Sequence, residues 1–351
     1  MGVDIKELIE DIKENVKIEQ LNGKKIAFDA YNALYQFLAA IRQPDGTPLI
    51  DSKGRITSHL SGLFYRTINM LEQGIHTIYV FDGKPPELKI YEIEKRKKAR
   101  EEAYKKLMEA KERGDIEEMR RFAQASSRLT DEMVRESKRL LEYMGIPYVQ
   151  APSEGEAQAA WMTINNIVYA TGSQDYDSII FGSPRLIRNL TVSGKRKLPK
   201  KDIYIEVSPE EITLEKVMGK LKISREQLVD IAILIGTDYN PGGVKGIGPK
   251  RAYEIIKKYG KIEEAIRAGI IKKEELAGID LDEIRKIFLE PPHIDVANLD
   301  FKDVNEEGIK KLLVEEHDFN LDRVEQGISR LKKGYKGIGK GARSYGLDKW
   351  L

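Results

Sequence analysis

Four short apolar runs bounded by turn residues stand out along the first part of the chain: "KKIAFDA" (24 to 30), "HTIYVFDG" (76 to 83), "NIVYATGSQD" (166 to 175) and "PRLIRNL" (184 to 190). Runs of this length without strict alternation suit strands buried on both faces. Between them the apolar positions recur at helical spacing over 56–73 and 131–144, and "IPYV" (146 to 149) offers one more short strand. Strand and helix in alternation predict an α/β fold with a mainly parallel central sheet and helices on both faces. From 208 to about 333 the pattern turns mostly helical. Helices are expected near 209–219, 223–236, 247–259 and 262–268, with no further strand of the first kind.

Residues 92–121 break the rhythm, because 20 of these 30 are charged, eleven basic and nine acidic. A stretch this polar cannot line a core. It predicts an exposed helical insertion, either a solvated helix laced with i,i+4 ion pairs or a surface for nucleic acid. The Gly- and Lys-rich "LKKGYKGIGKGARSYG" (331 to 346) lacks apolar periodicity and is expected to be a flexible basic tail, ending in the apolar "LDKWL".

Composition narrows the chemistry. The 59 basic and 57 acidic residues of the 351 nearly cancel, so any basic surface must be local. With no cysteine and only four histidines, disulfides, thiolate catalysis and Cys or His metal sites are excluded or disfavoured. A metal here must be held by oxygen. The acidic N-terminus "MGVDIKELIEDI" lacks a signal-peptide core and no run approaches a membrane span, so an intracellular protein without membrane association is expected.

Acids fall where the strands should end. Asp29 closes "IAFD", Asp82 closes "IYVFD", and Asp175 and Asp177 follow "NIVYATGSQDYD". The carboxyl ends of parallel strands line one edge, where ligands bind. Glu154 and Glu156 begin the helix after "IPYV", and Asp238 in "LIGTDYNPG" is a further candidate. Any one of these could be a turn former or cap; Ser153 with Glu156 fits a capping box. As a set they would repel one another unless a counter-charge were present, and all-oxygen ligation selects Mg²⁺ or Mn²⁺. Two such ions about 4 Å apart suit phosphodiester hydrolysis, since no Ser/His or Cys/His pairing is apparent. Helix positions two apart point about 200° from each other, so Glu156 is expected to touch metal directly and Glu154 through water.

"NPGGVKGIGPKRAYEII" (240 to 256) has the form of a helix-hairpin-helix. Gly246 and Gly248 allow close backbone approach, the N–H groups at the helix start can bind phosphate, and Lys245, Lys250 and Arg251 stand beside them. Such a turn is also suited to a monovalent cation, K⁺.

Taken in order, "FDGKPPELK" (81 to 89), "PSEGEAQAA" (152 to 160), "GSQDYDSIIFG" (172 to 182) and "GTDYNPGGVKGIGPKRA" (236 to 252) resemble the flap endonucleases of archaea and eukaryotes over essentially the whole chain. The resemblance implies a PIN-like 5′ nuclease core that cuts 5′ flaps from branched double-stranded DNA in Okazaki-fragment maturation and repair, with 5′–3′ exonuclease activity and two Mg²⁺ ions, replaceable by Mn²⁺. It makes Asp29, Asp82, Glu154, Glu156, Asp175, Asp177 and Asp238 the metal carboxylates. Lys89 and Arg96 become the basic pair at the scissile phosphate, and Tyr35 the stacking aromatic. Gly2, Arg42 and Arg66 join the hairpin residues as DNA contacts.

The implied organisation is a single nuclease domain over 1–333. Its parts are an N-terminal region 1–90, a helical arch at about 90–135, an internal region at about 136–222, the hairpin region at about 223–270 and a C-terminal helical part. A tail follows over 334–351. That tail resembles a sliding-clamp (PCNA) binding box through Leu347, Trp350 and Leu351, although Ser344 stands where the family usually has Gln. An archaeal-like prokaryotic protein, monomeric on its own, is expected. The rivals are a bubble-cutting repair nuclease of the same superfamily and a non-catalytic, clamp-tethered DNA-binding scaffold.

Overall fold

The computed structural model describes residues 2–43, 46–192, 194–197, 204–297 and 299–343. They form two compact units. The first gathers the residues up to 17, 80–93 and 150–295, and the second 18–79, 94–149 and those from 296 onward. The strands are β1 (Glu14–Asn15), β2 (Lys25–Asp29), β3 (His76–Phe81), β4 (Tyr148–Gln150), β5 (Ala170–Gly172), β6 (Arg185–Arg188), β7 (Gly194–Lys197), β8 (Tyr204–Val207) and β9 (Glu210–Thr213). All but β7 and β8, which pair as a separate antiparallel hairpin, belong to a mixed seven-stranded sheet.

In the first unit β5 and β6 run parallel, with Thr171 opposite Leu186. β9 runs antiparallel to β6, with Arg188 opposite Glu210, and antiparallel to β1, with Glu14 opposite Glu211. The sheet is therefore mixed, and two expectations are corrected. Residues 209–219 are not one helix: Glu210–Thr213 is a strand with Ile212 buried, and the helix Leu214–Leu221 begins only after Thr213 caps it. The run 166–175 contributes just Ala170–Gly172 as strand, so Asp175 and Asp177 lie in the following loop and at the start of the short helix Asp177–Ile180. Helices Arg225–Ile235, Pro249–Tyr259 and Leu281–Leu289 complete this unit. Their apolar stripes, among them Leu228, Ile231, Ile256 and Phe288, join one core with Ile5, Ile9 and Ile180.

The second unit is mainly helical around Ser58–Glu72, Asp131–Met144 and Leu321–Arg343. The stretch read as a flexible tail is in fact helical as far as Arg343. Its glycines mark close packing: a Cβ added at Gly334 would lie 3.2 Å from the Leu71 side chain, and one at Gly327 would strike the Phe64 ring. Between them Leu331 is fully buried, and the Tyr335 hydroxyl donates to the Met144 carbonyl at 2.7 Å. The tail residues from Ser344 onward, with Leu347, Trp350 and Leu351, lie outside the described residues.

Helix Ile90–Arg113 is the charged insertion, with only Ala103 and Ala110 buried, and Asp115 caps the next helix, Ile116–Ala125, on the Glu118 N–H. A chain of hydrogen bonds that sequence reading passed over also belongs to this unit. Asp51 meets His317 Nδ1, His317 Nε2 meets Glu136, and Glu136 meets His59, over contacts of 3.0–3.3 Å. Arg55 pairs with Asp51 at 2.8 Å. Burial opposes ionisation of Glu136, but the two histidines outweigh it and hold its pKa down at about 2.

A carboxylate cluster around Lys89

The helix Gly155–Ile164 starts where β3 ends, and Asp82 joins them: its Oδ1 accepts from the Gly155 N–H at 2.7 Å. A Cβ at Gly155 would come within 2.7 Å of that same oxygen, which explains the glycine between Glu154 and Glu156. The expected capping box is not formed. Glu154 occupies the N-cap position without a side-chain cap bond, and Ser153 lies outside the helix. Glu156 instead accepts from the Ser173 hydroxyl at 2.6 Å, and that hydroxyl accepts from the Asp175 N–H at 3.2 Å. The strand-end acid Asp82 thus holds the helix start by the Gly155 N–H, one residue before the Glu156 N–H that Ser153 was expected to take.

Lys89 lies among these acids, with Nζ 2.5 Å from Glu154 and 3.3 Å from Asp238. Burial works against its charge, yet Glu154, Asp238 and Asp82 outweigh burial and push its pKa up. Asp82 is raised to about 6 by burial, then by the neighbouring Glu154 charge. Asp177 is raised to about 7 by burial, then by Asp175 and Asp238, although the Val3 N–H donates to it at 2.7 Å. Gly2 is small for a reason, since a Cβ there would run into the Asp177 carboxylate. Buried Tyr239 feels Glu154, Asp177, Asp238 and Glu156 together, and its pKa is raised accordingly, burial being the largest cause.

So the first unit brings together Asp82, Glu154, Glu156, Asp175, Asp177 and Asp238 with Lys89 and Gly2. Among the described residues no three acids close on one point as a finished metal-ligand set; the lysine stands among them. Asp29, Tyr35, Arg42, Arg66 and Arg96 fall in the second unit. Asp29 caps the helix Ala30–Ala40 through the Asn32 N–H at 3.0 Å. Tyr35, on that helix, lies under the Arg100 guanidinium at 5.1 Å. Arg42 spends its donors on the carbonyls of Ala39, Gly46 and Ala123 and on Ser127, tying its loop to the end of helix Ile116–Ala125. Arg66 and Arg96 are half-buried on their helices.

The hairpin is built on Asn240, whose side chain accepts from Thr237 and donates to the Ile233 carbonyl at 2.7 Å. Val244 and Ile247 are buried, and Gly246 turns the chain at φ 77°. Gly248 leads into helix Pro249–Tyr259 without a side-chain cap, so the helix start is open to an acceptor from outside. Lys245 and Arg251 are exposed, while Lys250 is paired with Glu7 at 2.8 Å.

An α/β core that gathers six half-buried carboxylates beside one lysine, next to an open hairpin with exposed cations, defines a nuclease, an enzyme that hydrolyses phosphodiesters. Comparison with known proteins narrows the class. The XPG N-terminal domain matches residues 1–103 and the XPG I-region residues 145–238. "Flap endonuclease 1" of Sulfolobus acidocaldarius is 58% identical over 350 residues, covering 99% of this chain and 100% of that protein. The Pyrococcus furiosus protein of the same name is 56% identical over 336 residues, 96% of each. The solved flap endonuclease-1 of Methanococcus jannaschii superposes with a TM-score of 0.71 at 45% identity, over 97% of this chain and 100% of that one. A structure of the Rad2 catalytic core in complex with DNA substrate shares the fold, with a TM-score of 0.69 at 22% identity over 94% of this chain and 100% of that one. The chain belongs to the flap endonuclease family and is a structure-specific nuclease acting on DNA flaps.

Proposed function

We propose that this flap endonuclease cleaves at the carboxylate cluster around Lys89 with two Mg²⁺ ions, for which Mn²⁺ can substitute. The donor set fits the ions: oxygen ligands only, half-buried and gathered around one lysine, with Asp82 and Asp177 raised to about 6 and 7 by burial first and then by their acidic neighbours. That gathering of carboxylates around one ammonium is the observation that carries the reading. Asp82, Glu154, Glu156, Asp175, Asp177 and Asp238 would hold the metal, and the resemblance alone adds Asp29. When bound, divalent cations polarise the phosphodiester and make water a nucleophile at neutral pH. The chain's own groups orient and neutralise: Lys89 is assigned to the scissile phosphate, joined on resemblance by Arg96, with Tyr35 as the stacking ring.

In the second unit a cavity of about 650 Å³ lies beside helix Ile90–Arg113, with Leu38, Ile56 and Met133 on its wall and Lys97, Arg100 and Arg128 around it. Apolar and aromatic surface ringed by cations suits the unpaired 5′ strand. The open hairpin with Lys245, Gly246, Gly248, Lys250 and Arg251 would grip the duplex backbone and hold K⁺. Gly2, Arg42 and Arg66 complete the proposed DNA contacts, and Ser344, Leu347, Trp350 and Leu351 the proposed sliding-clamp motif.

The test compares 5′-flap, bubble and blunt duplex substrates in Mg²⁺. Flaps should be cut fastest, and Asp175→Ala should bind flap DNA without cutting it. A preference for bubbles, or full activity of Asp175→Ala, would overturn the reading.

A further inference from the structure

Asp175 sits on the loop after β5 and Asp177 at the start of the helix Asp177–Ile180, and two mutually repelling carboxylates so placed need support from outside the loop. Besides the Val3 N–H on Asp177 and the Ser173 hydroxyl on the Asp175 N–H, a third grip comes from Arg188 at the end of β6. The Arg188 Nε donates to the Gln174 carbonyl at 3.0 Å, and Nη1 donates to the Tyr176 hydroxyl at 2.7 Å. The guanidinium also lies over the Tyr176 ring, 4.3 Å from its centroid. One side chain thereby fixes the residues on either side of Asp175. Arg188 is itself anchored by Glu210, its cross-strand partner on β9, at 3.3 Å. Lys13 lies 4.0 Å from the same Glu210, so the anchor is pinned from the N-terminal segment as well.

We propose that Arg188 is a positioning residue for catalysis: it sets the direction of Asp175 and Asp177 by clamping the peptide and ring that flank Asp175. The inference rests on the reading of these acids as metal ligands. Only a planar fork can donate to a carbonyl and a hydroxyl while its face covers a ring, so lysine cannot replace it. Groups that orient ligands from behind typically tune metal affinity 10–100-fold.

The same strand supplies a matched control. Arg185 pairs with Glu211 at 3.2 Å, donates to the Tyr169 carbonyl at 3.0 Å and covers the Tyr169 ring at 4.1 Å. It makes the same kinds of contact but grips the residue before β5 instead of the acid loop.

The experiment titrates DNA-free protein with Mn²⁺ alone by calorimetry and measures kcat and KM on a 5′-flap substrate. Arg188→Gln and Arg188→Lys should each weaken Mn²⁺ binding about tenfold or more and lower kcat, with KM for the flap unchanged. Arg185→Gln should bind Mn²⁺ as the wild type does, at a comparable melting temperature to Arg188→Gln. Tyr176→Phe, which keeps the ring and loses only the hydroxyl, should show a smaller loss in the same direction and serves if Arg188→Gln does not fold. Wild-type Mn²⁺ affinity in Arg188→Gln, full rescue by lysine, or an equal loss in Arg185→Gln would each overturn the proposal. Wild-type protein showing no Mn²⁺ binding that Asp175→Ala abolishes would instead bring down the metal reading, and the proposal with it.

Discussion

Lys89 and Glu154 form a 2.5 Å ion pair inside the carboxylate cluster, with Asp238 on the other side of the ammonium at 3.3 Å. The lysine serves there as a built-in counter-charge. Were divalent cations to neutralise those acids as proposed, its hold on Glu154 would weaken and the ammonium would be free to face a phosphate. Lys89→Ala should therefore lower kcat on a 5′ flap about 10²- to 10³-fold, with little change in KM, because a cation aimed at developing charge acts mainly in the transition state. In EDTA the same variant should also melt below the wild type, and saturating Mg²⁺ should narrow the gap. Equal losses in kcat and in flap affinity would sink this role.

The metal-free enzyme should respond to pH in the reverse of the usual carboxylate sense. Asp82 and Asp177 are raised to about 6 and 7, so between their unfolded values and these the folded state binds more protons. Their contribution to stability is then full below the ordinary aspartate value of 3.8 and is lost as pH rises from there through about 6 and 7. Urea unfolding in EDTA should show it, with Asp82→Asn and Asp177→Asn each reducing the slope between about pH 4 and 7. Saturating Mg²⁺ should flatten it.

Glu136 behaves oppositely. With its pKa near 2, its stabilisation is present above the ordinary glutamate value of 4.5 and disappears as pH falls through 2. Glu136→Gln should cost about 1–3 kcal/mol at pH 7, since it weakens hydrogen bonds to two buried histidines. Urea titrations at pH 7 and pH 2.5 should show that deficit shrinking at the acid end.

At the packed seam of the second unit, Gly334→Leu should destabilise by about 1–3 kcal/mol through overpacking against Leu71. Flap cleavage below its melting temperature should stay near wild type. A variant that melts with the wild type would show that the terminal helix does not dock there in solution.

Much of the fold was legible because its strands are short, apolar and bounded by turns; β2, β3 and β6 lie where the runs predicted. β9 was missed because "EEIT" carries a single buried side chain, Ile212, too little for a period of two to register. The terminal helix was misread because glycine in a sequence signals flexibility as readily as close approach, and only Phe64 and Leu71 across the seam decide between them. At the site, the acids could be listed from strand ends, but their partners could not. Nothing in "PSEGEAQAAW" tells that Asp82, some seventy residues earlier, takes the Gly155 N–H at the helix start. Arg188 and Ser173 act through contacts that only the folded loop creates.

Asp82 has one task that needs only a lone pair, and the proposed metal site would ask of it a negative charge as well. Its Oδ1 receives the Gly155 N–H, and an amide oxygen would do so equally well. Asp82→Asn is therefore a natural separation-of-function allele: the joint between strand and helix is kept while the charge is discarded. Such a protein would linger on its flap without cutting it, a ready means of isolating the branched intermediates this enzyme meets in the cell.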